Sequence, residues 1–487
     1  MTRRKILLLN PPGKHIYMRD YYCSHTSQAR YYWGPYDLIV MSGILGADHD
    51  LIALDALVEG LSPEATLRRI EAMDIDTILF LTGAVSWEED FKLLDTIARR
   101  HPGRYRIVGI GDILFAEAAD FLARYDWLWG AIQDFTTDES VGFFKGVEEV
   151  FSSISYRNSK GEIVAATKLF PKHEFALPPP KLELFPYKKY RIPHGRRNPY
   201  AGILSDYGCA YHCTYCIGGE LGFKYRSIEN TLEELRYYRN LGIKELWFKD
   251  LVFGLKRKHY DELLTRMIEE KFDFTWACLS RAPVLKEDLL QLMKRAGCHT
   301  IQMGIETADE ELLSHYSKGV TCDKVRTAVT LCKQVGIRVL GHFILGLPGD
   351  TEEAIHNTIK YALELDPDFA SFNVAMPRMG TKFRDEALEK GLVTKDINHL
   401  DNSISYPVFE TKQLSRQRLW DLRNIAVRTF YMRPQFMARR LFGVRSLYEL
   451  QTLFDQGFSL MLSTLRKPVV LEDMEPSLKQ SPTPAAR

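Results

Sequence analysis

The chain has 487 residues with 64 basic and 63 acidic side chains, a formal net charge of +1, so no global field marks it as a partner of nucleic acid. At ~150 residues per domain its length points to about three folding units rather than one core. No run of about eighteen apolar residues occurs, which leaves no candidate transmembrane helix. The start Met1 to Asn10 has a basic front but only Ile6 to Leu9 as an apolar run, too short for a signal peptide; a cytoplasmic location is expected.

Residues 1–150 alternate short apolar strands, at 5–9, 51–55, 77–81 and 106–110, with helices at 38–45, 63–73, 88–100 and 116–125. That pattern predicts a parallel, doubly wound sheet with ligands at the carboxyl ends of its strands. The loops at those ends are Asn10-Pro-Pro-Gly13, 82–87 and 109–113. No G-x-G-x-x-G follows the first strand, which argues against a dinucleotide. A scaffold used only for substrate or partner docking is the bland alternative, because the fold constrains ligands weakly.

Residues 151–195 shift in composition. A hairpin at 153–164 turns at Asn158-Ser-Lys-Gly161, and Leu177-Pro-Pro-Pro180 opens an extended, Pro- and Tyr-rich linker. From 196 to 391 the alternation resumes, with strands at 202–204, 245–248, 275–279, 300–304, 338–345 and 369–374. Six βα units predict a partial parallel barrel whose site lies at the carboxyl ends of the strands.

The first of these strands leads into Gly208-Cys-Ala-Tyr-His-Cys-Thr-Tyr-Cys-Ile-Gly-Gly219. Three thiolates this close, with no fourth nearby, read as an iron–sulfur site with one iron left open for a small molecule. Zinc would need a fourth ligand that His212 cannot readily supply from the same short loop, and three is an odd number for disulfides. The other five cysteines are scattered and read as small buried hydrophobes.

Between Lys412 and Arg445 nine basic residues stand against one acidic, Asp421, interleaved with aromatics on a helical pattern interrupted at Pro434. Such a helix either touches lipid headgroups or an anionic substrate, or packs its aromatics on the barrel and solvates its basic face. Residues 392–470 are expected to be helical, and the Pro- and Ser-rich 471–487 to be a disordered tail.

The cysteine spacing of three then two residues, with Tyr215 just before the last, resembles the cluster loop of the radical S-adenosylmethionine (SAM) superfamily. The resemblance implies a 4Fe-4S cluster on Cys209, Cys213 and Cys216 with Tyr215 beside it. It also implies SAM chelating the open iron, and cleavage of SAM to a 5′-deoxyadenosyl radical by a low-potential donor such as flavodoxin or ferredoxin. Matched strand end by strand end, Asp250 falls at the SAM amino group, Arg281 at its carboxylate and Glu306 at its sugar. Gly341 and Gly346, in the run to Glu352, flank the adenine, and Pro377 to Thr381 resembles the sixth-strand turn.

A Rossmann-like domain ahead of such a core is similar to the cobalamin-binding branch of the superfamily. Asn10-Pro-Pro-Gly13, Leu54-Asp-Ala56, Leu81-Thr-Gly83 and Val108-Gly109 look like its cobalamin module. Gly83, Ser86 and Gly109 are then the cofactor-binding positions, and the absence of D-x-H-x-x-G implies cobalamin without a histidine ligand. The expected architecture is α/β, a doubly wound Rossmann-like domain, a partial (β/α)6 radical SAM barrel and a mainly helical carboxy-terminal region. The implied activity is methylation of an unactivated carbon of a small-molecule or lipid-like substrate. Cyclisation or rearrangement with the same cofactors is the runner-up. A non-catalytic cobalamin or SAM sensor is the third reading, and it has no need of an open iron.

Overall fold

The structure, a computed structural model, describes residues 3–27, 31–168, 174–394, 401, 407–442, 450 and 454. The amino-terminal sheet has seven strands in the order Asp50–Asp55, Lys5–Asn10, Thr77–Leu81, Arg106–Ile110, Leu128–Ile132, Ile154–Arg157 and Ile163–Val164. The first five are parallel and the last two antiparallel. Counted along the chain, the parallel strands run 2-1-3-4-5, a doubly wound order with its switch point between the first and third. Two features differ from the sequence reading. A fifth parallel strand, Leu128–Ile132, follows the last helix, and the hairpin of the 151–195 segment forms the outer strands of this sheet rather than lying wholly in a linker. Pairing with Leu128–Ile132 gives Ile154–Arg157 a partner that a free hairpin would lack.

The second sheet is wholly parallel and follows chain order: Tyr200–Ile203, Glu245–Phe248, Thr275–Ser280, Cys298–Glu306, Arg338–Leu345 and Phe369–Val374. It is the six-stranded partial barrel expected from the sequence. Side chains of Ser227, Thr321, Thr351 and Thr381 accept backbone N–H groups in the first turns of the helices that follow them, which fixes where each chain segment leaves the mouth.

A third, short sheet carries the cysteines. Asp206–Gly208 pairs antiparallel with Phe223–Arg226, and Glu174–Phe175 adds to its far side. Residues 209–222 are thus a loop pinched at its base by the Gly208 to Phe223 pair. Gly208 has φ +79°, and a Cβ there would lie 1.6 Å from the Gly222 carbonyl oxygen, so no other residue closes the pinch.

The two large sheets share one apolar core, and buried Lys249–Asp20 and Lys224–Asp134 pairs cross between them. Helix Arg416–Tyr431 buries Leu419, Trp420, Leu422, Val427 and Phe430. Its Tyr431 hydroxyl accepts from the Ala370 N–H at 3.1 Å and donates to the Ala370 carbonyl at 2.7 Å, covering the edge strand of the barrel. The aromatics of this basic helix therefore pack on protein. Among the described residues no helix is long and apolar enough to cross a membrane. The expected tail, 471–487, lies outside the described residues.

Candidate active site

The cysteine loop lies at the carboxyl end of the barrel. Backbone N–H groups of Tyr211 and Gly218 point at Cys209 Sγ and Cys216 Sγ, at 3.4 and 3.3 Å. Arg281, from the end of the third strand, donates from Nη1 to Cys213 Sγ at 3.2 Å. Its guanidinium lies over the Tyr211 ring, 3.8 Å from the centroid, and Nη2 donates to the Lys318 carbonyl. Burial pushes the Cys209 thiol up and the Cys216 thiol to about 12. Thiolates in such surroundings need a cationic centre, as iron supplies. Among the described residues no three His, Cys, Asp or Glu converge on a single-ion site.

The predicted SAM residues divide. Glu306 is buried, with φ +68°, where the register with the fifth strand slips between Gly304 and Glu306. Its carboxylate pairs with buried Lys318, and a Cβ on Gly304 would strike both, at 2.4 Å from Glu306 Oε1 and 2.7 Å from Lys318 Nζ. The bulge thus aims Glu306 into the mouth. Tyr215 packs against Tyr316, and its hydroxyl is buried with no partner.

Asp250 has one oxygen engaged within the chain, while its Oδ2 is buried with no partner among the described residues. Its Oδ1 accepts from the Ser205 N–H at 2.7 Å, from the Ser205 hydroxyl at 3.1 Å and from the Asp206 N–H. It therefore braces the turn that enters the cysteine loop. Burial raises Asp250 to about 6, against the hydrogen bonds from Asp206 and Ser205 that pull it down, and raises Asp206 well above its usual range, where the Asp250 charge adds to the shift.

Gly341 sits against Ile305, 2.8 Å from an added Cβ, on the outward face of its strand. Gly346 has φ +81° and abuts Leu419 of the carboxy-terminal helix, while its N–H donates to Asp350 Oδ2 at 2.9 Å.

The three amino-terminal positions are filled by the chain itself. An added Cβ on Gly83 would lie 2.6 Å from Ser24 Cβ, and one on Gly109 2.5 Å from Leu114 Cδ1. Ser86 Oγ accepts from Arg19 Nε at 2.9 Å and donates to Asp90 Oδ2 at 2.7 Å. Arg19 is buried on Asp90, 2.6 Å away, and also donates to Asn10 Oδ1 and the Pro11 and Pro12 carbonyls. Each of these three positions, expected at the cofactor, is packed against the chain. The open space lies beside them, a cleft of about 770 Å³ whose lining includes Trp87, Phe115, Phe121, Arg124, Gly219 and Met379. It runs from the amino-terminal domain to the exit of the cysteine loop, and the Trp87 indole N–H is buried without a partner. The lining mixes these aromatics with charged Glu117, Asp120, Lys168, Glu220, Arg384 and Asp385; the size of the cleft and its unmet donor fit a large cofactor.

Sequence reasoning missed Lys318, Asp206 and Tyr211 as parts of the site. Lys318 stands in no motif and reaches Glu306 only through the fold. Tyr211 lay within the cysteine run, and its aromatic ring was the available signal.

Residues 204–362 match the family described as the Radical SAM superfamily, and a Rossmann-like domain precedes that core. An uncharacterized methyltransferase, PH0819, of Pyrococcus horikoshii is 26% identical over 471 residues, covering 91% of this chain and 95% of that protein. The anaerobic magnesium-protoporphyrin IX monomethyl ester cyclase of Rubrivivax gelatinosus is 22% identical over 444 residues, 87% of this chain and 78% of that one. The solved structure of the cobalamin-dependent SAM radical enzyme OxsB, with aqua-cobalamin and SAM bound, matches with a TM-score of 0.68 at 14% identity, over 95% of this chain and 72% of that chain.

Proposed function

We propose that the protein methylates a carbon of a small-molecule or lipid-like substrate, using a 4Fe-4S cluster, SAM and cobalamin. The observation that carries this reading is the cysteine triplet at the barrel mouth with Arg281 on Cys213 Sγ. When bound, the cluster supplies the electron that cleaves SAM, and cobalamin supplies a transferable methyl group.

Cys209, Cys213 and Cys216 hold the cluster, and the Asp206 and Asp250 pair braces the strand that delivers them. Arg281, fixed on Tyr211, would present its positive charge to the carboxylate of SAM. Glu306, held by Lys318, receives the hydroxyls of the SAM sugar. Trp87, Phe115, Phe121 and Arg124 would hold cobalamin in the cleft beside the cysteine loop. The net reaction consumes two SAM and two electrons from a low-potential donor, one for cleavage of a SAM and one because the other SAM's methyl, a cation equivalent, is delivered to a carbon radical. One SAM yields methionine and, with the hydrogen taken from the substrate C–H bond, 5′-deoxyadenosine; the other yields S-adenosylhomocysteine as its methyl replaces that hydrogen.

Anaerobic reconstitution with and without cobalamin, followed by a low-potential reductant and SAM, tests this by mass spectrometry. The expected products are 5′-deoxyadenosine and, with substrate, S-adenosylhomocysteine. No 5′-deoxyadenosine under conditions that activate a relative would sink the radical chemistry. The similarity to a cyclase favours a second reading, ring formation, which gives 5′-deoxyadenosine without S-adenosylhomocysteine.

A further inference from the structure

The barrel lumen contains a polar feature that neither the cluster nor the SAM positions use. Along Arg338–Leu345 half-buried and buried residues alternate strictly, so Leu340, His342 and Ile344 face the lumen while their neighbours face the helices. Ser371 and Asn373 are the half-buried positions of the adjacent strand. His342 Nε2 lies 2.8 Å from Gln302 Oε1, and Gln302 Nε2 lies 3.4 Å from His194 Nδ1. With the amide so oriented, His342 and His194 both carry their proton on Nε2. His342 Nδ1 is then a lone pair with no partner among the described residues, and His194 Nε2 is buried and unpartnered.

The surroundings select further. His194 packs at 5.1 Å on Trp247, which meets Trp33 edge-on at 6.2 Å, and Trp33 meets His25 at 6.5 Å. His25 in turn is close enough to His342 to act on it electrostatically. His194, Trp247, Trp33 and His25 thus form a chain of ring contacts. Burial keeps His342 neutral, at about 4, and His194 well below the usual imidazole range. Glu306 and Lys318 above them neutralise each other.

We propose that this lumen, next to the SAM site, selects an uncharged planar substrate carrying an N–H or O–H donor, which His342 receives on Nδ1. Gln302 and His194 are positioning residues that fix the imidazole's tautomer and plane. The assignment names a substrate class for the methylation reading above and rests on it. The cation on this face, Arg338, is taken up by the His194 carbonyl, His299 and Thr300, so a charged substrate would be desolvated here with its nearest counter-ion already engaged, whereas a flat ring finds aromatic neighbours and one acceptor.

The test is calorimetric titration of the full-length, cluster-reconstituted protein with SAM present, using indole, 1-methylindole and indole-3-carboxylate as probes. Indole should bind at least about tenfold more tightly than 1-methylindole, because a site built around a hydrogen bond rejects the analogue lacking the donor; indole-3-carboxylate should not bind. In His342→Phe the preference should fall to about one, and in His342→Asn, which keeps an acceptor, it should partly return. Cluster absorption and melting temperature confirm that each variant is folded. Equal binding of indole and 1-methylindole, no binding of indole, or a preference that survives His342→Phe overturns the proposal. SAM cleavage is measured separately, so a protein that cleaves SAM without this selectivity sinks the pocket assignment alone. Selectivity without SAM cleavage supports the pocket and counts against the reaction.

Discussion

At the carboxyl end of the amino-terminal sheet the charges are matched within the chain. Arg19 spends its guanidinium on Asp90, Ser86, Asn10 and two proline carbonyls. Asp55 accepts from Asn10, Tyr190 and the Val58 N–H. At the barrel mouth, built on the same strand-to-helix logic, Arg281 Nε, the Tyr215 hydroxyl and Asp350 Oδ1 are buried with no partner. Buried polar groups are nearly always hydrogen-bonded, so unmet ones mark where something else must bind. The contrast separates the Arg19 and Asp55 network, which holds the fold together, from a mouth with unmet groups; in the amino-terminal domain the Asp37 carboxylate and the Trp87 indole are also buried without partners, outside that network.

The largest expected effect is at the mouth. Cys213→Ala should abolish both the cluster's visible absorption and SAM cleavage while leaving cobalamin retention mostly unchanged; cobalamin lost together with the cluster would break the separation of the two regions. Next, Arg19→Met strands the Asp90 charge in the core and should cost about 3–5 kcal/mol of stability, read by denaturant titration. An unchanged midpoint would mean that the switch point is not held together by that pair. Arg281→Lys keeps the charge but loses the planar stack on Tyr211 and the fixed aim at Cys213, and should slow SAM cleavage by about tenfold with the cluster intact. A variant that loses the cluster as well would make Arg281 part of the scaffold.

The smallest effect concerns pH. Burial raises Asp350 to about 7, against an unfolded value near 4. Between those values the native state holds a proton that the unfolded chain has released, so this group's contribution to stability falls as pH rises through that window and levels off above it. Asp350→Asn should therefore lose less melting temperature than wild type between pH 5 and pH 8, figures that are only roughly placed around that window. Identical slopes would show that Asp350 is already ionised by a partner.

Much of this was legible before the fold. Six apolar strands at regular spacing mark a barrel because each buried parallel strand must be apolar on both faces, and three cysteines within eight residues state their chemistry by spacing alone. The fifth amino-terminal strand was harder to read, since Trp129 and Gly130 interrupt the apolar run of Leu128–Ile132. Gly83, Ser86 and Gly109 were ambiguous, because small residues at a strand end make room equally well for a ligand or for the chain itself. In this chain Ser24, Leu114 and Arg19, distant in sequence from the positions they cover, take that room.

The sequence by itself determined the class of chemistry and the two-sheet architecture, since both rest on local periodicity and on ligands a few residues apart. Only the tertiary structure decided which crevice is open, that Asp250 braces the cysteine strand, that Lys318 holds Glu306, and that His194, Gln302 and His342 form one line through the barrel. Those facts depend on which distant side chain satisfies which buried polar atom, and such pairing is settled by packing in three dimensions, with no period along the chain to announce it.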